Sequence, residues 1–309
     1  MQAYLALLAG LVCAGLGGEL FVRGAVGLAQ WARIAPGIIG ATVAAFATSS
    51  PELTVAVNSA LAGEPEISLG DALGSNVVNV ALILAVALVI SGIQSPRDSL
   101  KRDFPVALLS PLVLGVLFWD GTLTRLEGFL LLALFGGWLI AVLREARRQR
   151  SAAGPILGAR RGWSALGSGA LGLLLLIAAG KLIVLGARGM AQAWGLDEFI
   201  IGSTVVAVGT SVPELATTLM AKLRKHDEVG LGTILGSNIF NGLFIIAVAA
   251  ILHPITVGAR ELLVALSCGV VAVLFSYPPR SGFITRRRGV LLLLLYALYL
   301  ALILHRPPA

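Results

Sequence analysis

Runs of about 20 apolar residues, the length that crosses a bilayer as a helix, follow one another almost without pause along this chain. Ten can be placed, at 3–30, 37–62, 68–92, 104–119, 123–143, 164–192, 198–221, 230–252, 258–277 and 288–305. With 57% hydrophobic and only 13% charged residues, a soluble domain of 309 residues could not hide this much apolar surface. The bilayer is the fitting solvent, and the expected fold is an all-α integral membrane protein with ten transmembrane helices. MQAYLALLAG at the N-terminus has no positive leader and no convincing cleavage site, so it reads as a retained first helix. Cys13 and Cys268 lie inside apolar runs and read as small buried hydrophobes, with no disulfide framework or metal spacing around them.

The net charge of +7 follows from topology and implies no nucleic-acid partner. The turns after helices 1, 3, 5, 7 and 9 hold 17 of the 23 Lys and Arg residues; the opposite side holds Arg125, Arg260 and Arg306, and three more sit within helices. Basic turns stay cytoplasmic, so both termini are expected to be extracytoplasmic, and the asymmetry agrees with an even number of spans.

Displaced by 162 residues, the chain matches itself without a gap. Residues 38–79 pair with 200–241, and the match reaches back to Gly24, Ala25, Gly27 and Gln30 against Gly186, Ala187, Gly189 and Gln192. Apolar composition could supply matching Leu or Val, but not Thr, Ser, Pro, Glu and Asn in register. Two five-helix repeats, 1–143 and 163–309, are therefore expected around a basic cytoplasmic linker at 144–162. Five is odd, so the second copy enters the membrane from the other side. Inverted repeats place binding sites at the midplane, between broken helices. The linker's charge is most simply a topology anchor, with a lipid-headgroup role as the alternative.

The repeated polar residues are expensive where they stand. ATSSPE (47–52) and GTSVPE (209–214) each put a glutamate behind a proline inside an apolar run. Pro51 and Pro213 lack an amide hydrogen and crowd the carbonyls of Ala47 and Gly209. Each freed carbonyl needs a partner in hydrocarbon. Thr48, Ser49, Thr210 and Ser211 add hydroxyls on the same turn, and Thr48 shares a helix face with Glu52, as Thr210 does with Glu214. LGDALGSNVVN (69–79) and LGTILGSNIFN (231–241) contribute Ser75 with Asn79 and Ser237 with Asn241, again at i and i+4. Gly70, Gly74, Gly232 and Gly236 are expected to let helices approach closely. Gathered at the centre, these groups form an all-oxygen shell, which suits hard cations such as Ca2+ and Na+ and not zinc, copper or iron. Apart from Glu19 and acids at helix ends, Glu52 and Glu214 are the acids of the spans. Two ionised glutamates at one site must hold a proton or bind about two units of cation charge.

The paired ATSSPE/GTSVPE and GSNVVN/GSNIFN motifs resemble the alpha-repeats of the cation/Ca2+ exchanger superfamily, with the prokaryotic sodium/calcium exchangers as the most similar branch. That resemblance implies a secondary antiporter that exchanges Na+ for Ca2+ by alternating access, in a prokaryotic inner membrane. It implies Glu52 and Glu214 as main calcium ligands, shared in part with sodium. Thr48, Ser49, Ser75, Thr210, Ser211, Ser237 and the carbonyls of Ala47 and Gly209 would complete the shells, with Asn79 and Asn241 as central amides. The transported ions and membrane lipid are then the partners, with no cofactor and no protein partner implied. Ala47 stands where the family motif usually begins with glycine. Asn241 stands where some relatives carry aspartate, which argues against the potassium-dependent branch. A proton-coupled Ca2+ antiporter is the alternative, because a carboxylate beside a like charge can hold a proton. A cation channel and an intramembrane enzyme are disfavoured: inverted broken helices suit alternating access, and no nucleophile–base pair or zinc motif lies in the spans.

Glu19, Arg23, Lys181 and Arg188 fall in helices 1 and 6, which in the family resemble a sliding unit. Glu19 maps onto Lys181, so a pair between the halves or snorkelling is expected. Asp71, alongside GSN, has Thr233 as its counterpart, and the sequence leaves its role open, a modest part at the vestibule being one reading. His226, His253 and His305 read as solvated loop or end residues.

Overall fold

The computed structural model describes residues 2–63, 65–152, 162–193 and 207–304, almost all of them helical. In chain order the first half contains α1 (Gln2–Ala32), α2 (Pro36–Thr48), α3 (Ser50–Ala62), α4 (Pro65–Ser91), α5 (Arg97–Leu117) and α6 (Arg125–Ala152). The second half repeats the order with α7 (Gly162–Ala193), α8 (Ala207–Thr210), α9 (Val212–Leu223), α10 (Asp227–Leu252), α11 (Ala259–Ser276) and α12 (Arg286–Leu304). The α6 helix runs on to Ala152, so the first part of the basic linker is a continuation of that helix and not a loop.

The two proline motifs break the chain at matching places. Ser49 (φ −86°, ψ 14°) ends α2 and Ser211 (φ −82°, ψ 7°) ends α8, and each following helix starts with proline in its first turn. Proline fits there because its missing donor is not needed. The α2 and α3 axes bend by 44° at this break. The residues around the GSN motifs also depart from regular α-winding. Val78–Leu84 in α4 and Phe240–Ile245 in α10 are wound as π-helix, as is Gly40–Ala44 in α2. Such turns release backbone groups from the regular ladder and recur at functional sites.

Among the described residues, five helices are long and apolar enough to cross a membrane, or six if the bent α2–α3 pair is one span. The others have physical reasons for falling short. Arg97, Asp98, Lys101, Arg102 and Asp103 charge the first turns of α5, α11 has only Leu262–Ser276 as its apolar stretch, and α12 begins with three arginines. The span expected at 198–221 begins outside the described residues.

Burial separates the centre from the rim. In their most apolar windows α4 is 78% and α10 83% buried, against 22% for α6 and α7. The two GSN-bearing helices are thus the core, and Leu69, Val77, Leu84, Leu231, Leu235 and Ile239 fill it. Outside, Trp119, Leu126 and Trp163 are more than four-fifths exposed, which suits a surface facing lipid. On one flank α1 lies along α7 in glycine-mediated contact. A Cβ added to Gly24 would come 2.5 Å from the Cα of Gly169, so only glycine permits that approach.

Among the described residues, four two-residue strands tie the turns together. β1 (Ile93–Gln94) and β3 (Ile255–Thr256) are repeat counterparts, as are β2 (Thr122–Leu123) and β4 (Phe283–Ile284). Each strand pairs with the counterpart of the other: β1 runs antiparallel to β4, with Ile93 opposite Ile284, and β2 to β3, with Leu123 opposite Ile255.

Candidate cation site

The breaks in the proline-bearing helices and the GSN turns of α4 and α10 meet in the core. Thr48, Ser49, Glu52, Ser75, Asn79, Ser211, Glu214, Ser237 and Asn241 are all fully buried there, and Thr210 is 8% exposed. The hydroxyl of Ser49, from the first half, donates to Glu214 Oε1 of the second half at 2.9 Å. Ser237 on α10 reaches the same oxygen at 3.2 Å. Glu214 is therefore oriented from both halves, while its Oε2 and both carboxylate oxygens of Glu52 have no hydrogen-bond partner in the protein. Ser75, Ser211 and the amide oxygens of Asn79 and Asn241 are likewise buried and unpartnered.

Several donors are turned away from this centre, which leaves oxygen lone pairs directed into it. Thr48 donates to the carbonyl of Ala45 at 3.3 Å and Thr210 to that of Ala207 at 3.1 Å. Asn79 donates its amide to Asn238 Oδ1 at 3.1 Å, leaving its own Oδ1 unbound. An ionised carboxylate in such a place costs several kcal/mol unless it is compensated. The unpartnered groups are oxygens almost throughout, so the set fits a hard cation. The two backbone carbonyls differ. Ser50 donates to the Ala47 carbonyl at 2.8 Å, so that oxygen is already half satisfied. The second half has Val212 in place of Ser50, so that position offers no hydroxyl to the carbonyl of Gly209.

The asparagine that closes each GSN joins the two halves. Asn76 donates to the carbonyl of Asn238 at 3.2 Å, and Asn238 donates to the carbonyl of Asn76 at 3.1 Å. These residues are counterparts, so the contact is reciprocal and clamps α4 to α10 directly beneath the site. Their identity in both copies was the available signal. Thr217 and Thr218, one turn after Glu214, also carry buried unpartnered hydroxyls. Val55 and Ala56 stand at the matching positions of the first half, so the repeat could not reveal them. Gly232 and Gly236 do allow close approach: a Cβ on Gly232 would meet the Gly37 carbonyl at 2.6 Å, and one on Gly236 would collide with Ala41. Among the described residues nothing lies within 4 Å of a Cβ on Gly70, and Gly74 has only ordinary contacts.

Glu19 pairs between the halves, but with Arg224 at 2.7 Å, and with Arg23 one turn along its own helix at 2.5 Å. The side chains of Lys181 and Arg188 lie outside those described. His226 and His253 are only part-buried or exposed, as expected, and His305 lies outside the described residues.

A helical membrane protein whose sequence-related halves close over a buried cluster of oxygens, two carboxylates among them, has the build of a cation carrier. The sequence pattern described as Sodium/calcium exchanger protein matches residues 2–144 and 164–305. The chain thus belongs to the sodium/calcium exchanger family. It is 34% identical to the putative antiporter CaxA of Alkalimonas amylolytica, covering 97% of this chain and 98% of that one. It is 30% identical to the inner membrane protein YrbG of Escherichia coli, covering 98% and 97%. With the sodium/calcium exchanger MaX1 of Methanosarcina acetivorans it shares 28% identity over 98% of both chains. Among solved structures, the sodium-calcium exchanger NCX_Mj soaked with Na+ and Sr2+ is similar at a TM-score of 0.83. That match has 30% identity and covers 97% of this chain and 98% of that one.

Proposed function

We propose that this protein is a secondary antiporter that exchanges Na+ for Ca2+ across a prokaryotic inner membrane. Glu52 and Glu214 bind both ions at one central site. The observation that carries this reading is the cross-half carboxylate pair: Glu214 held by Ser49 of the other repeat, Glu52 buried with both oxygens unpartnered. The family membership supports exchange as the activity, and the names of the relatives support sodium and calcium as the ions.

Charge decides how such a site couples two gradients. With both glutamates ionised, one Ca2+ or two or more Na+ compensate the site. An empty site would carry two uncompensated charges through a low-dielectric core, at a cost of several kcal/mol each. Crossing between inward and outward states is then favoured only when loaded, which is the condition for exchange instead of leak. Ca2+ takes about six to eight oxygen ligands. The glutamates with Thr48, Ser49, Ser75, Thr210, Ser211, Ser237, Asn79, Asn241 and the carbonyls of Ala47 and Gly209 offer enough for it, and for smaller Na+ shells.

Ten spans in two inverted five-helix repeats make this site reachable from either side. Two observations support the inversion. The strands pair crosswise, β1 with β4 and β2 with β3, as they do when the counterpart of one turn lies at the opposite end of the molecule. The reciprocal contact of Asn76 with Asn238 is what a two-fold axis through the centre produces. The basic turns then lie on the cytoplasmic side and both termini outside.

Purified protein in sealed vesicles should take up radioactive Ca2+ when Na+ is loaded inside and diluted outside. Uptake driven by a proton gradient and not by a sodium gradient would replace this reading with proton-coupled exchange.

A further inference from the structure

One face of α4 descends from the surface to the site in steps of four residues: Asp71, Ser75, Asn79. At 1.5 Å per residue these steps cover about 12 Å along the helix axis. Gly70 beside Asp71 is exposed, Asp71 is half-buried, and Ser75 and Asn79 are fully buried. The hydroxyl of Thr210, one of the site's own groups, lies 3.2 Å from Asp71 Oδ1 and shares its single proton between that oxygen and the Ala207 carbonyl. Beneath Asp71, Glu52 is wholly buried with neither oxygen partnered.

The same ladder in the second half reads Thr233, Ser237, Asn241 on α10, and all three are fully buried. Thr233 spends its hydroxyl on the Val229 carbonyl at 2.9 Å. A Cβ on Gly40 of α2 would stand 3.3 Å from the Thr233 backbone nitrogen, so that end is closed by helix packing. In an otherwise matched pair of ladders, one approach has a part-buried carboxylate and the other a hydroxyl tied to its own helix.

We propose that Asp71 is a relay carboxylate for divalent cations at the mouth on the α3–α4 side, and that it makes the apparent Ca2+ affinity unequal at the two faces. This inference rests on the exchange reading above. Among the described residues, a cation arriving on that side meets Asp71, with Thr210 beside it, before it reaches Glu52 and Glu214. A carboxylate at a low-dielectric mouth raises the local concentration of cations tenfold or more. On the opposite face Asp227 and Glu228 line the groove together with Lys222, Lys225 and Arg102, and Asp227 is paired with Lys222 at 3.0 Å, so that approach offers a cation no net negative charge. Divalent ions gain more than monovalent ones from one fixed negative charge, so Asp71 also favours Ca2+ over Na+ at its own face.

The test compares Ca2+ transport in right-side-out and inverted membrane vesicles carrying wild-type, Asp71→Asn or Asp71→Glu protein. Asp71→Asn keeps the shape and removes the charge. It should raise the Ca2+ concentration for half-maximal transport about tenfold at the α3–α4 face and leave the other face within about twofold. Asp71→Glu should recover most of that loss, which a structural role for the aspartate would not produce. The inference is overturned by an unchanged Asp71→Asn, by equal shifts at both faces, or by no recovery in Asp71→Glu. Failure of the wild-type protein to exchange Ca2+ would instead remove the reading on which it rests.

Discussion

Glu52 and Glu214 occupy equivalent positions yet have different neighbours. Glu214 accepts hydrogen bonds from Ser49 and Ser237, whereas Glu52 accepts none and its potential donors, Ser75 and Ser211, are unpartnered. A hydrogen bond to a charged group contributes about 1.5–3 kcal/mol. Ser49→Ala should therefore weaken Ca2+ binding by roughly tenfold or more, read as the Ca2+ dependence of uptake. Ser211→Ala, at the counterpart, should have a smaller effect. Equal losses would mean that the asymmetry of hydrogen bonding has no energetic weight. Glu52→Gln and Glu214→Gln each leave a lone carboxylate against a divalent ion. Breaking a buried charge pair costs about 3–5 kcal/mol, so each variant should lower exchange at least about 100-fold while eluting as a folded protein. Normal transport by either variant would remove the shared site.

The helix breaks and the two GSN turns were legible in the sequence, because Pro, Glu, Ser and Asn at these places conflict with an apolar run and recur in register. Contacts made between the copies were less legible. Nothing in the sequence says that Asn76 meets its own counterpart, or that Ser50 turns its hydroxyl onto the Ala47 carbonyl. The repeat offset points Glu19 at Lys181, but Glu19 reaches Arg224 in the turn after α9, a neighbour set by tertiary packing. Helix packing also sets a tolerance. The α2–α10 crossing depends on Gly232, where a side chain would press on the Gly37 carbonyl. Gly232→Val should destabilise the protein by about 1–3 kcal/mol through overpacking, seen as a lower melting temperature in detergent. The Glu19–Arg224 pair is more than half exposed on the arginine side. Pairs of that kind contribute about 1 kcal/mol or less, so Arg224→Ala should move the melting temperature only slightly.

Across the whole molecule, exchange by alternating access needs the halves to be inverted and the site to be common to both ions. Glu66 on α4 and Glu228 on α10 are repeat counterparts near the starts of their helices. Single cysteines at these two positions, with Cys13 and Cys268 replaced by alanine, should react with an impermeant maleimide from opposite sides of the membrane. Labelling of both from one side would mean parallel repeats. The shared site has a sharper test in the purified protein. Ca2+ binding measured by calorimetry at rising Na+ concentrations should show a falling apparent affinity with an unchanged number of sites, and Glu214→Gln should remove the Ca2+ signal. Ca2+ binding that is indifferent to Na+ would contradict a single site built from Glu52 and Glu214 and used in turn by both ions.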